Sequence, residues 1–351
     1  HLMSSGLYDE LTAAGLLIPH EEVSPDSTGD STGDDAPYKV LKPEVVPAIT
    51  YPAEWSFSQL KAAALLTLDV QKRALAHGMV LKDASAYNVQ FIGWRPVFID
   101  TLSFERYVEG SPWIAYQQFC EHFLGPLAVA GYRDGRFLQS ISSYTDGIPV
   151  DFVRSLLPLK AALRRPGIFM HIWLHATAIR RAARAKPEAE STKQGKRKTL
   201  SQRGLQGMIG SLEGTVRKLK LKDAISEWGS YTTTTSYSES GSRHKSKIVR
   251  EFYETTQPSV VWDMGANDGA FSRIAAASGA YVISSDADFL AVDRNYRQLS
   301  DEKQENILPL VIDVMNVVSG GWSGVERPSA LKRMKVDAIS ALALIHHISI
   351  P

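Results

Sequence analysis

The segment Ser259-Val260-Val261-Trp262-Asp263-Met264-Gly265-Ala266-Asn267-Asp268-Gly269 constrains the fold of this chain more than any other. Its first four residues have the length and character of a buried strand. Two glycines four apart follow, and Phe271 to Ala277 then reads as a helix. Glycine at such a turn lets backbone approach a ligand, and the helix beyond offers free amides. Three more apolar runs complete an alternating pattern: Tyr281-Val282-Ile283-Ser284, Leu308-Pro309-Leu310-Val311-Ile312 and Val336-Asp337-Ala338-Ile339-Ser340-Ala341-Leu342. Apolar strands alternating with helices imply a parallel sheet covered on both faces, so the expected fold class is α/β.

The residues around the turn say which ligand suits it. Asp286 closes the second strand, where a carboxylate can bind both hydroxyls of a ribose. Strand, turn, helix, strand and acid together specify an adenosine-type ligand. The NAD fingerprint G-x-G-x-x-G shapes a site for a pyrophosphate anion. Here the middle position is Asn267, the third glycine is absent, and Asp263 stands two residues before Gly265. A carboxylate there repels pyrophosphate and suits the cationic amino group of a methionine moiety, which favours S-adenosylmethionine.

Val261 to Gly269 resembles motif I of the class I S-adenosylmethionine-dependent methyltransferases, and the likeness covers about residues 245 to 351. The resemblance implies a Rossmann-like domain. In it Asp263, Gly265, Ala266, Asn267 and Gly269 line the methionine end and Asp286 holds the ribose. Asp313, in Val311-Ile312-Asp313-Val314, matches the acid that contacts the adenine amino group. Methyl transfer depends on positioning an in-line nucleophile, and needs a general base only where the acceptor must lose a proton. The fourth strand runs into Ala343-Leu344-Ile345-His346-His347, in the region that faces the methyl group in this fold. His346 or His347 is the candidate base; in the blander reading one lines the pocket and the other packs. The Asn/Asp-Pro-Pro-aromatic motif of amino methylation on bases is absent, which argues against a DNA amino methyltransferase.

Upstream, residues 59 to 77 read as a helix ended by Gly78. Leu81-Lys82-Asp83-Ala84-Ser85-Ala86-Tyr87-Asn88 follows, then Val89-Gln90-Phe91 and Pro96-Val97-Phe98-Ile99-Asp100. This arrangement resembles the catalytic loop and metal-binding strand of protein-kinase-like phosphotransferases. The resemblance implies that Asp83 orients an acceptor hydroxyl while Asn88 and Asp100 hold magnesium with ATP. Departures stand beside it. Lys82 replaces the family's Arg or Gly, Thr101-Leu102 replaces Phe-Gly, and no glycine-rich phosphate loop can be placed in the first 50 residues. In the other reading these three residues cap turns in an acceptor-recognition domain. Together with Tyr51-Pro52-Ala53-Glu54-Trp55-Ser56-Phe57 and Trp113-Ile114-Ala115-Tyr116-Gln117-Gln118-Phe119, the segment resembles a bacterial family of nodulation-type methyltransferases.

The expected organisation has four parts: an N-terminal, mainly helical and kinase-like or acceptor-recognition α+β domain over 1–178, a basic linker over 179–204, a helical connector over 205–245, and the S-adenosylmethionine-binding domain over 246–351. The linker stands out by charge. Between 179 and 203 nine Lys/Arg face two Glu, although the whole chain of 351 residues carries only +1. No aromatic residue interleaves those charges, so nucleic-acid binding is not expected. Ser24 to Asp34 reads as an exposed loop. His171 and His175 lie one helical turn apart, yet the Glu of H-E-x-x-H is missing, so packing is the expectation and metal the alternative.

Cys120 is the single cysteine, which points to a reducing, cytoplasmic setting. No apolar run reaches the ~20 residues of a membrane span. The chain stops just after its fourth strand, and a doubly wound sheet normally continues, so a fragment cut at the C-terminus is expected. The functional expectation is a methyltransferase using S-adenosylmethionine on an unidentified small molecule, glycan or protein. The alternative is a kinase-like phosphotransferase with an accessory methyltransferase domain. Oligomeric state is not legible.

Overall fold

The computed structural model describes residues 1–24, 39–184, 200–221, 239–317, 320, 325–342 and 344. Six short strands precede the sheet foreseen in the C-terminal part. They form three antiparallel pairs: β1 (His20–Val23) with β2 (Val40–Pro43), β3 (Met79–Leu81) with β6 (Phe104–Arg106), and β4 (Val89–Ile92) with β5 (Arg95–Phe98). Between β2 and β3 runs the helix α1 (Phe57–Ala76). Its start is a capping box: Gln59 N–H donates to Ser56 Oγ, and Ser56 N–H donates to Gln59 Oε1 at 3.0 Å. Gly78, at φ +68°, turns the chain from α1 into β3.

The helix α2 (Gln202–Lys218) carries Leu205, Ile209, Leu212 and Val216 on one face, all buried. That face lies in the same hydrophobic core as Leu60, Leu68 and Leu75 of α1. Lys72 forms an ion pair with Glu213, and Lys61 Nζ donates to the carbonyls of Arg217 and Leu219. Residues 205–218 thus form a layer on α1.

After helix α3 (Glu239–Thr256) come β7 (Val260–Met264), helix α4 (Ala270–Ala277), β8 (Tyr281–Asp286), helix α5 (Phe289–Glu302), β9 (Ile307–Val311) and β10 (Ala338–Ser340). The four strands form one parallel sheet in the order β10-β7-β8-β9. The protein is therefore mixed α/β with a parallel four-stranded sheet near the end of the chain. Strand alternation sorts the side chains into two layers. Val261, Val282 and Ile307 meet Ala275, Ala276, Val249 and Tyr253. Trp262, Ile283 and Leu308 instead join the core that contains Leu60 and Phe91 of the N-terminal region. Strands buried on both faces need the near-continuous apolar runs that the sequence shows.

The N-terminal region also covers the β9 edge. Pro309 leaves no amide to satisfy there, and Gln59 Nε2 donates to its carbonyl at 2.9 Å. Ser58 N–H donates to Asp293 Oδ1 at 2.7 Å, and the rings of Phe91 and Tyr296 meet edge to face. Gly93 N–H donates to Tyr281 Oη, and a Cβ on Gly93 would fall 2.3 Å from Glu305 O, a contact that only glycine permits. Among the described residues, no helix is long and apolar enough to cross a membrane.

Candidate functional site

The chain builds outward from β7 to β8 and β9, then returns to the other side of β7 as β10. In open parallel sheets a ligand crevice forms outside the carboxyl ends of the strands at such a reversal. The glycine turn lies there. Gly265, Asn267 and Gly269 have φ of +71°, +52° and +78°. Glycine enters this region freely, and asparagine does so more readily than most residues, which accounts for Asn at the middle position.

The turn is fastened to β8. The amides of Gly265 and Ala266 both donate to Ser285 O, at 2.8 and 2.9 Å, and Asn267 N–H donates to Asp286 Oδ2 at 2.8 Å. Gly269 N–H donates to Ala266 O. Asp286 Oδ1 accepts from Asp288 N–H, so this carboxylate spans from the turn to the start of α5. Burial raises its pKa above the ordinary range.

Asp263 is 2% exposed. Ser272 Oγ of α4 donates to its Oδ2 at 2.7 Å, and Ser340 of β10 bonds it as well. Desolvation nonetheless pushes its pKa up to about 6. Ser272 Oγ lies 2.9 Å from Ser284 Oγ, which accepts from Asn295 Nδ2 at 3.0 Å. Arg273 Nη1 donates to Asn295 Oδ1 and to the carbonyls of Asp268 and Gly269. A buried polar chain therefore runs from Asp263 to the backbone of the turn. In the sequence, Ser272, Arg273, Ser284 and Asn295 belong to no motif. The available signal was the hydroxyl pair Ser284-Ser285 inside an otherwise apolar strand.

Asp313 lies just past β9, exposed, with Oδ1 accepting from Met315 N–H. It lines a cleft of about 220 Å³ together with Tyr51, Glu54, Tyr87 and Arg327, so residues of the N-terminal region stand opposite it. His346 and His347 lie outside the described residues. Leu344 lies beside the turn, its Cδ1 being 3.3 Å from where a Cβ on Gly265 would be.

The second set of sequence candidates is partly assembled. Asn88 Nδ2 donates to Ser103 Oγ at 3.1 Å, and Ser103 Oγ donates to Asp100 Oδ2 at 2.5 Å. Asp100 Oδ1 also accepts from Leu102 N–H, and Asp83 Oδ1 accepts from Ser85 N–H. Both acids thus close their own turns in the manner of Asx turns. His122 is buried in the field of Asp83, and desolvation takes its pKa down to about 4. His171 bonds Tyr116 Oη at 2.9 Å and Ser211 Oγ at 3.0 Å, while His175 lies against the Tyr116 ring. Among the described residues no group of three or more His, Cys, Asp or Glu is placed to hold a metal ion.

No protein-family model matches the chain, and no solved structure does. It is 34% identical over 345 residues to the nodulation protein NoeA of Rhizobium meliloti (strain 1021), covering 97% of this chain and 71% of that protein. The chain belongs to the NoeA family. The likeness to NoeA runs through the N-terminal helices and the parallel sheet alike, so the glycine turn and the cleft against Asp313 both fall within it.

Proposed function

We propose that this chain is a bacterial S-adenosylmethionine-dependent methyltransferase with a Rossmann-like cofactor domain. The observation that carries this reading is the state of the turn between β7 and α4. Its amides at Gly265, Ala266, Asn267 and Gly269 already donate to Ser285 O, Asp286 Oδ2 and Ala266 O. Two carboxylates, Asp263 and Asp286, flank it. With these amides engaged and two carboxylates beside it, such a turn suits a pyrophosphate poorly and favours a cationic, hydroxyl-bearing nucleoside.

The residues present fit S-adenosylmethionine. Asp286, at the end of β8, would accept from the ribose hydroxyls, and Asp313 past β9 would accept from the adenine amino group. The glycine turn would admit the methionine moiety, with Asp263 supplying negative charge from behind it. When bound, the cofactor supplies an electrophilic methyl group on a sulfonium. The chain's own task is to orient that group and an acceptor in line and to exclude water. Where the acceptor must lose a proton, His346 or His347 would take it. The acceptor is a small molecule, a glycan or a protein side chain. Family membership with NoeA adds a nodulation-related role.

Substitution Asp286→Ala tests the assignment. Titration calorimetry of S-adenosylhomocysteine is expected to show at least a tenfold loss of affinity in a variant that keeps the wild-type circular dichroism. Unchanged affinity in that folded variant contradicts it.

A further inference from the structure

The face of the molecule built by residues 159–184 combines exposed apolar side chains with positive charge. From Phe152 to Arg184 the sequence holds no Asp or Glu, while Lys160, Arg164, Arg165, Arg181 and Arg184 fall within it. The helices Leu159–Arg164, Pro166–Ile168, Phe169–Leu174 and His175–Arg184 bury Ile168, His171, Ile172 and Ala176 against the core. The outward side carries Leu159 (65% exposed), Leu163 (77%), Phe169 (45%), Met170 (48%) and Leu174 (50%). Single exposed apolar side chains are ordinary on a protein surface, but five large ones on two successive helical segments, broken only at the extended Arg165, mark a contact surface.

Beside them opens a cavity of about 400 Å³ between this run and α2. Arg164, Arg165 and Lys218 line it, with Gly210, Ser211, Gly214 and Thr215 and without a single carboxylate. Added Cβ atoms on Gly210 and Gly214 would meet nothing within 4 Å, so the glycines keep this wall open. Among the described residues none of the three cations has an ion-pair partner. Three cations lining one cavity suit a phosphate, which guanidinium groups bind through paired N–H donors.

We propose that this face docks on an anionic lipid bilayer. The leucines and Phe169 would enter the acyl boundary, and the cavity would take a lipid phosphate. Charge complementarity decides for lipid. An interfacial helix combines an apolar outer face with Lys/Arg at its margins, and each such cation adds attraction to an anionic leaflet. A purely apolar partner would not repay the clustering of unpaired cations at the rim. The inference is independent of the methyl-donor assignment.

Vesicle co-sedimentation of the whole chain tests it, with phosphatidylcholine–phosphatidylglycerol vesicles against phosphatidylcholine alone. The chain is expected on the anionic vesicles only, and added salt is expected to release it. The exposed-site variants Leu163→Glu/Phe169→Glu and Arg164→Glu/Arg165→Glu are each expected to cut partitioning at least tenfold with unchanged Tm. The proposal is overturned if wild type does not partition, or if neither variant weakens binding. It is equally overturned by glycerol phosphate binding without vesicle binding, which would mean a soluble phosphate ligand. Self-association that Leu163→Glu/Phe169→Glu abolishes, again without vesicle binding, would assign the face to a second copy.

Discussion

The side-chain amide of Asn295 lies where a Cβ on Gly269 would have to go, its nitrogen 2.6 Å and its oxygen 2.7 Å from that position. Asn295 cannot give way easily, because Ser284 Oγ and Arg273 Nη1 hold it from both sides. Gly269 is therefore required twice over, for its φ of +78° and for this contact. Gly269→Ala should lower the unfolding free energy by about 2–4 kcal/mol, the sum of a left-handed alanine and an overpacked contact. A urea-denaturation double-mutant cycle with Asn295→Ala should show the two effects coupled. Additive effects would mean that the contact does not limit the turn.

The charge state of Asp263 should govern cofactor affinity. Burial raises its folded pKa to about 6, so the group passes from neutral to ionised as pH rises through that value. A ligand ammonium near it binds the ionised form better. Affinity for S-adenosylhomocysteine should therefore increase from about pH 5 to about pH 7, and Asp263→Asn should flatten that rise. Calorimetry across this range checks it; a pH-independent wild-type affinity would place the ammonium elsewhere.

Arg333 ties the sheet to the N-terminal region. Its guanidinium pairs with Glu54, donates to Ile49 O and lies 4.0 Å over the ring of Tyr51. The two charged side chains are only 5% and 14% exposed. Arg333→Ala leaves Glu54 buried without its partner and should cost about 3–5 kcal/mol at neutral pH. Desolvation already raises the Glu54 pKa and Arg333 opposes that rise. Without Arg333 the pKa goes higher, the folded state binds a proton more readily than the unfolded chain, and stability falls as pH rises. The variant's deficit relative to wild type should thus shrink toward acid pH, as urea denaturation at two pH values will show.

The local features of the sheet were legible because each has a short-range cause. The apolar runs became β7 to β10, Gly265 and Gly269 took positive φ, and Asp286 ended β8 opposite Asn267. What escaped depends on distant partners. Nothing near Gln59 announces that its amide will meet Pro309 O, nor near Gly93 that Glu305 will lie against it. The stripe Leu205, Ile209, Leu212, Val216 predicts an amphipathic helix, but not that α1 is what it covers. Ser272, Ser284 and Asn295 read singly as ordinary polar residues, and only the crossing of α4, β8 and α5 joins them into one network.

If the turn after β7 takes a methyl donor, the chain binds S-adenosylhomocysteine and not a dinucleotide. The most direct test is to titrate S-adenosylhomocysteine and NAD separately into the whole chain by calorimetry. Saturable S-adenosylhomocysteine binding at one site per chain and no heat from NAD are the expected results. Saturable NAD binding lost in Asp286→Ala, or no S-adenosylhomocysteine binding by the folded chain, would contradict it.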